Sequence, residues 1–173
     1  VVRQIAPDSR IIVERNEAAL LPVESLLPQE QEKLLADITP SSGIDHIAAE
    51  VDFIDFNIQK LIPHKLTQYG PPLAAGDING DGRADLVIGG GSPQYAVAYI
   101  QNASGRFAKQ NILDDKELKY QDDGGICLFD ADGDGDGDLY IASGGAENEP
   151  QSAAYQDHLY ENDGRGRFKE ASA

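Results

Sequence analysis

Two stretches of this chain place oxygen-bearing side chains at alternate positions. The first is Asp77-Ile78-Asn79-Gly80-Asp81-Gly82-Arg83-Ala84-Asp85; the second is Asp130-Ala131-Asp132-Gly133-Asp134-Gly135-Asp136-Gly137-Asp138. Asp77, Asn79, Asp81 and Asp85 stand at positions 1, 3, 5 and 9 of one, and Asp130, Asp132, Asp134 and Asp138 at the same positions of the other. A tightly curled loop turns those positions toward one centre. Position 7, Arg83 or Asp136, can add its backbone carbonyl. Such a flexible, all-oxygen cage suits Ca²⁺ better than the small octahedral Mg²⁺ or the softer Zn²⁺. Gly82 and Gly135 hold position 6, where a sharp turn calls for positive φ. Two calcium sites are therefore expected.

Electrostatics gives the scale. Two carboxylates about 5 Å apart repel by roughly 3 kcal/mol at an effective dielectric near 20. The four ligand carboxylates of the second loop make six such pairs, so its curled form calls for a cation. A plain Asp/Gly turn would explain one such loop, but two at matched positions argue against it. An EF-hand needs a bidentate Glu at position 12 and a helix on each side. Position 12 is Ile88 or Ile141, and position 9 leads into apolar residues typical of strands.

The elements that position these loops repeat with them. At an offset of 53 residues, Gly76–Leu86 falls on Phe129–Leu139. Further on, at an offset of 61, Tyr99, Gly105, Arg106 and Phe107 fall on Tyr160, Gly166, Arg167 and Phe168. The eight extra residues lie between Gly145 and His158, in a polar stretch that reads as a surface loop. Around each loop, short apolar runs recur in one order: Leu73–Ala75 or Ile126–Phe129 before it, and Leu86–Ile88 or Leu139–Ala142 after it. Then come Tyr95–Ile100 or Leu159–Tyr160, and a last run starting at Phe107 or Phe168. Four short strands in about 55 residues fit one blade of a propeller.

With these motifs the chain resembles the FG-GAP/VCBS repeats, the calcium-loop blades of integrin-α-like β-propellers. The pattern DxNxDGxxDL is met at Asp77–Leu86 and DxDxDGxxDL at Asp130–Leu139. Leu159–Phe168 is similar to the Leu-Tyr-x-Asn-Asp-Gly-x-Gly-x-Phe ending of the family. Asp52–Phe56, Ile62-Pro63 and Gly70-Pro71 resemble segments of FG-GAP proteins that accompany the UnbV/ASPIC domain in exported bacterial proteins. The Phe-Gly…Gly-Ala-Pro signature is degenerate, reading Ile88–Pro93 and Ser143–Ala146. The resemblance covers residues 36–173. It implies an all-β, partial or small propeller, with blade one at 71–110 and blade two at 124–171. Residues 1–16, with the β-like run Arg10–Glu14, more weakly resemble the closing strand of a preceding module, and 17–34 reads as a linker.

Composition excludes some partners. The 173 residues carry 30 acidic and 14 basic side chains, a formal net charge of −16. That surface repels nucleic acid and anionic lipid. No apolar run approaches the roughly 18 residues needed to span a bilayer. The single cysteine, Cys127, excludes an internal disulfide and reads as a small buried hydrophobe. His46, His64 and His158 are far apart and read as surface or structural groups. His46 with Glu50, Asp52 and Asp55 is the one acid/histidine cluster outside the loops. Asp122 and Asp123 read as turn caps, with a contribution to a second cation site as the alternative.

Together these features predict a secreted or cell-surface, calcium-stabilised scaffold for protein or glycan contact, with no catalytic residues. The alternative is a non-catalytic propeller part of a carbohydrate-active lyase or hydrolase. The second loop is expected to bind more tightly, because it offers four carboxylates against three and an amide in the first, where Arg83 also weakens the field if its head folds inward. Two blades are fewer than a closed ring needs, so the chain reads as a fragment that pairs with itself or with further blades.

Overall fold

The computed structural model describes residues 35–67, 69–113 and 119–172. The run Arg10–Glu14 and the linker 17–34 lie outside the described residues. Among the described residues, every strand falls in the unit Asp37–Ala173.

That unit is all-β apart from short helical turns. Strands β1 (Leu73–Gly76), β2 (Asp85–Ile88), β3 (Val97–Gln101) and β4 (Phe107–Asn111) form one sheet in sequence order. Strands β5 (Asp122–Phe129), β6 (Asp138–Gly144), β7 (His158–Asn162) and β8 (Phe168–Glu170) form the other. Every pairing is antiparallel. The acidic loops connect β1 to β2 and β5 to β6. The turns between the last two strands are also alike. Asn102 Oδ1 accepts from the Ser104 and Arg106 N–H groups at 2.9 and 3.1 Å, and Asp163 Oδ1 from Arg165 and Arg167 at 3.0 and 3.3 Å. A short polar side chain that captures N–H groups two and four residues on fixes such a turn.

Period-two alternation sorts the apolar residues onto two faces. Val87, Ala98 and Ile100 of the first sheet meet Leu139, Ile141, Ile126 and Leu128 of the second, with Ile78 among them. Fully burying one such aliphatic side chain is worth about 1.5–3 kcal/mol, so this shared core is what holds the sheets together. On the opposite face of the first sheet, Ile88, Val97 and Tyr99 pack with Leu86, Phe107 and Ile44. The Tyr99 hydroxyl donates to Asp45 Oδ1 at 2.8 Å, tying the 44–45 segment to that face.

Two expectations change. Cys127 is exposed rather than buried. Ile126 and Leu128 take the core side of β5, so alternation sends Cys127 outward. Strand β5 also begins at Asp122, four residues before the apolar run, because Asp122 and Asp123 pair with Gly144 and Ser143 across an irregularity between Asp123 and Gly125. Both do cap a turn, though it belongs to the other sheet. Asp122 Oδ1 accepts from the Ser92 N–H and Asp123 Oδ2 from the Gly90 N–H, each at 2.7 Å.

This seam carries buried charge. Lys119, 5 % exposed, places Nζ 2.7 Å from Asp123 Oδ1 and donates to the Gly90 and Gln94 carbonyls at 2.8 and 2.9 Å. Burial pulls its pKa down, against the pull of Asp123 and Asp122. A Cβ on Gly90 would lie 2.2 Å from the Gln94 carbonyl oxygen, so glycine is required where the chain turns under this latch. Nearby, Glu147 Oε2 accepts from the Ala146 N–H at 2.8 Å, and the Asp122 carboxylate lies close enough to act on it. Burial first, and the Asp122 charge after it, raise the Glu147 pKa above its ordinary value of 4.5.

Two outcomes follow. Lys119→Ala leaves Asp123 buried without its cation and should cost about 3–5 kcal/mol, read as a fall in the urea midpoint. The stability tied to the raised Glu147 pKa is complete below pH 4.5 and is lost as pH rises through the higher folded-state value. Glu147→Gln mimics the protonated side chain. It should raise the melting temperature at pH 7, and the gain should vanish near pH 4.

Candidate metal centres

Both acidic loops are already curled by their own side chains. In the first, Asp77 Oδ1 accepts from the Gly80 and Asp81 N–H groups at 2.8 and 3.1 Å, and Oδ2 from Gly82 at 2.7 Å. In the second, Asp130 Oδ1 accepts from Gly133 at 2.7 Å and Oδ2 from Gly135 at 3.2 Å. Each following odd position captures the N–H two residues on. Asn79 does so with Asp81, Asp81 with Arg83, Asp132 with Asp134, and Asp134 with Asp136, at 3.0–3.1 Å. Gly82 and Gly135 have φ of +81° and +95°, the left-handed backbone expected at position 6.

Position 9 behaves differently from the others. Asp85 and Asp138 are 0 % and 1 % exposed. Asp85 accepts from the Ile78 N–H at 3.3 Å and from the Gln101 N–H at 2.8 Å. Asp138 accepts from Ala131 at 2.7 Å and from Asn162 at 2.8 Å. Each carboxylate therefore clips the start of its loop to the end of the third strand of its sheet. An ionised carboxylate has about four acceptor sites, so capacity remains on each oxygen.

The two loops differ in how their acids converge. One oxygen from each of Asp130, Asp132 and Asp138 lies within 4.8 Å of the others. Calcium–oxygen distances of about 2.3–2.6 Å put opposite ligands about 5 Å apart, so these three fit around one ion. Asp134 and Asp136 stand outside that grouping. Asp136 Oδ1 is buried with no hydrogen-bond partner among the described residues. Burial, followed by the charges of Asp134, Asp138, Asp132 and Asp130, raises the Asp136 pKa. An orphaned oxygen amid four other carboxylates is what a hard cation would relieve. The donor set fits such an ion.

In the first loop, Asp81 turns toward Arg83. The Arg83 guanidinium pairs with Asp81 Oδ2 and donates through Nε to the Gln101 carbonyl at 3.0 Å. Asn79 Nδ2 also donates to Asp81 Oδ2 at 3.1 Å. Among the described residues, Asp77, Asp81 and Asp85 make no grouping as close as that of the second loop. Burial pushes the Asp77 carboxyl up, but the N–H groups of Gly82, Asp81, Gly80 and Asn79 outweigh it and hold the pKa below the usual value.

The residues of the acid/histidine cluster are engaged separately. Asp55 accepts from the Leu66 and Thr67 N–H groups and the Thr67 hydroxyl, Asp52 pairs with Lys65 at 3.0 Å, and His46 lies edge-on to Tyr99. A cavity of about 180 Å³ opens at the seam beside Glu50, Tyr69, Asp122 and Gly145, and its Asp122 and Asp123 are the carboxylates that cap the Gly90–Ser92 turn. Sequence reasoning did not single out Asn162, whose amide spans both acidic loops. Its place in the repeated Leu159–Phe168 ending, where the first sheet has Gln101, was the available signal.

Residues 77–141 match the family model described as an FG-GAP-like repeat. The matched segment runs from the first acidic loop through the second and ends inside β6. No curated protein and no solved structure matched the chain. The loop spacing and the paired four-stranded sheets accord with that match: residues 77–141 are similar to an FG-GAP-like repeat.

Proposed function

We propose that this chain is a calcium-stabilised β-propeller repeat module that serves as an extracellular scaffold for protein or glycan ligands and carries no catalytic centre of its own. The observation that carries the reading is the converging Asp130, Asp132 and Asp138 triad beside the orphaned Asp136 oxygen. In the second loop, Asp130, Asp132, Asp134 and Asp138 would hold the ion, with the Asp136 carbonyl. In the first, Asp77, Asn79, Asp81 and Asp85 would do so, with the Arg83 carbonyl. The ion would neutralise crowded carboxylates and brace the turn between the first two strands of each blade.

The role is structural rather than switching. The ninth-position carboxylates and the curled Asp77 and Asp130 turns are organised by backbone hydrogen bonds. The backbone of each loop is thus largely in place. A cation would have only side chains such as Asp81 and Asp134 to reposition, and binding to the folded state alone would add to its stability. No helix among the described residues is long and apolar enough to cross a membrane. On the second sheet, Cys127 and the half-exposed Phe129 lie on the side turned away from the shared core. That side would pair with a further blade or with a second copy of the chain.

Calcium at 100 times its dissociation constant stabilises a folded protein by about 2.7 kcal/mol per site. Chelation empties both sites and should therefore lower the melting temperature by roughly 10–20 °C, and equal melting curves with and without chelator would refute the structural role. The second loop should be the tighter site in calorimetry, and Asp132→Ala should remove more calcium-dependent stability than Asn79→Ala. Arg83→Ala frees Asp81 and should tighten the first loop.

A further inference from the structure

Asn162 ends β7 and is 7 % exposed. Its side-chain amide has two hydrogens and spends them on different loops. Nδ2 donates to the Ile78 carbonyl of the first loop at 2.9 Å and to the Gly137 carbonyl of the second at 3.1 Å. Its Oδ1 accepts from the Gly166 N–H at 3.1 Å, and its backbone N–H donates to Asp138 Oδ1. One buried residue thus touches position 2 of the first loop and positions 8 and 9 of the second.

The turn that follows is wedged between the same two loops. A Cβ on Gly80 would lie 3.2 Å from the Gly164 carbonyl oxygen, and one on Gly164 would lie 3.1 Å from Asp136 Oδ2. Gln110 Nε2 donates to the Gly166 carbonyl at 3.0 Å, which ties the turn to β4 as well. Neither glycine has room for a side chain without its neighbour giving way, so the turn packs closely against both loops. A displacement of Asp136 or Asp138 reaches Gly80 and Ile78 through Asn162 and the Gly164 backbone.

We propose that Asn162 couples the two acidic loops, so that a cation in one preorganises the other and the pair binds cooperatively. This rests on the calcium reading above. Drawing Asp138 toward an ion holds the Asn162 backbone, and with it the amide that fixes the Ile78 carbonyl at the mouth of the first loop. Filling the first loop fixes Gly137 by the same bonds in reverse, as linkage requires. Asn162 is a positioning residue in this scheme and not a ligand.

The test is calorimetric titration of the full chain with calcium chloride. Asp77→Ala/Asp81→Ala isolates the second loop, and Asp130→Ala/Asp132→Ala isolates the first. If the loops are coupled, the product of the two wild-type dissociation constants falls at least about fivefold below the product for the isolated loops. In an Asn162→Ala background the two products should agree. Should that variant not fold, Asn162→Ser takes its place. Two calcium ions bound with equal products in the wild type would overturn the coupling and leave the calcium reading standing. A product ratio unchanged by the Asn162 substitution would overturn the role of this residue. No calcium bound at either loop would overturn both readings. A purely structural Asn162 would lower the melting temperature without moving the ratio.

Discussion

A buried carboxylate at the head of the second strand organises each half of this protein. Asp85 and Asp138 each accept one N–H from the second residue of their own loop and one from the last residue of the third strand. Three chain segments distant in sequence therefore meet at one side chain. A charged acceptor makes stronger hydrogen bonds than a neutral one, and removal of one partner leaves a buried charge unmet. The curled loop, the β1–β2 and β5–β6 turns and the register of the third strand all depend on this clip. The clip is made of protein groups alone, so it shapes both loops without help from a ligand.

The second organising constraint is the seam between the sheets. Most of it is apolar, since Val87, Ala98, Leu139 and Ile141 leave no polar group to satisfy. At one end, charge is brought inside. Lys119 reaches Asp123 and two carbonyls of the Gly90–Gln94 turn, while Asp122 and Asp123 cap that turn from β5. Such a latch adds specificity of placement more than net stability, because desolvating two charges offsets most of their attraction. At the other end, the amide of Asn162 and the Gly164 backbone join the acidic loops. The two sheets thus share a core, a charged latch and a polar bridge, each on a different part of one interface.

Charge also separates two loops that look nearly equivalent. The second concentrates five aspartates, of which Asp130, Asp132 and Asp138 converge while Asp134 and Asp136 stand outside that close grouping. The first replaces one carboxylate with Asn79 and supplies its own cation in Arg83, which pairs with Asp81. An internal cation competes with a bound one for the same oxygen. The asymmetry therefore follows from two residue choices, at positions 3 and 7, within an otherwise shared frame.

Much of this was legible from the residues alone. The alternating acids, the positive-φ glycines at 82 and 135 and the twice-repeated order of apolar runs are local properties, and local backbone chemistry enforces them. Four-stranded antiparallel sheets follow from that pattern, because short runs joined by tight turns pair with their neighbours. What tertiary structure decided concerns residues whose partners lie far along the chain. Asp122 and Asp123 cap a turn of the other sheet 30 and more residues away, as Ser92 and Gly90 show. Cys127 faces outward because Ile126 and Leu128 claim the core side, and an apolar run with no clear period gives no sign of which face is which. The role of Asn162 appears only when the 61-residue offset is folded back onto the first loop, 84 residues earlier at Ile78. The reach of a side chain is a few ångströms in space, and sequence spacing encodes that reach only within a turn or a strand pair.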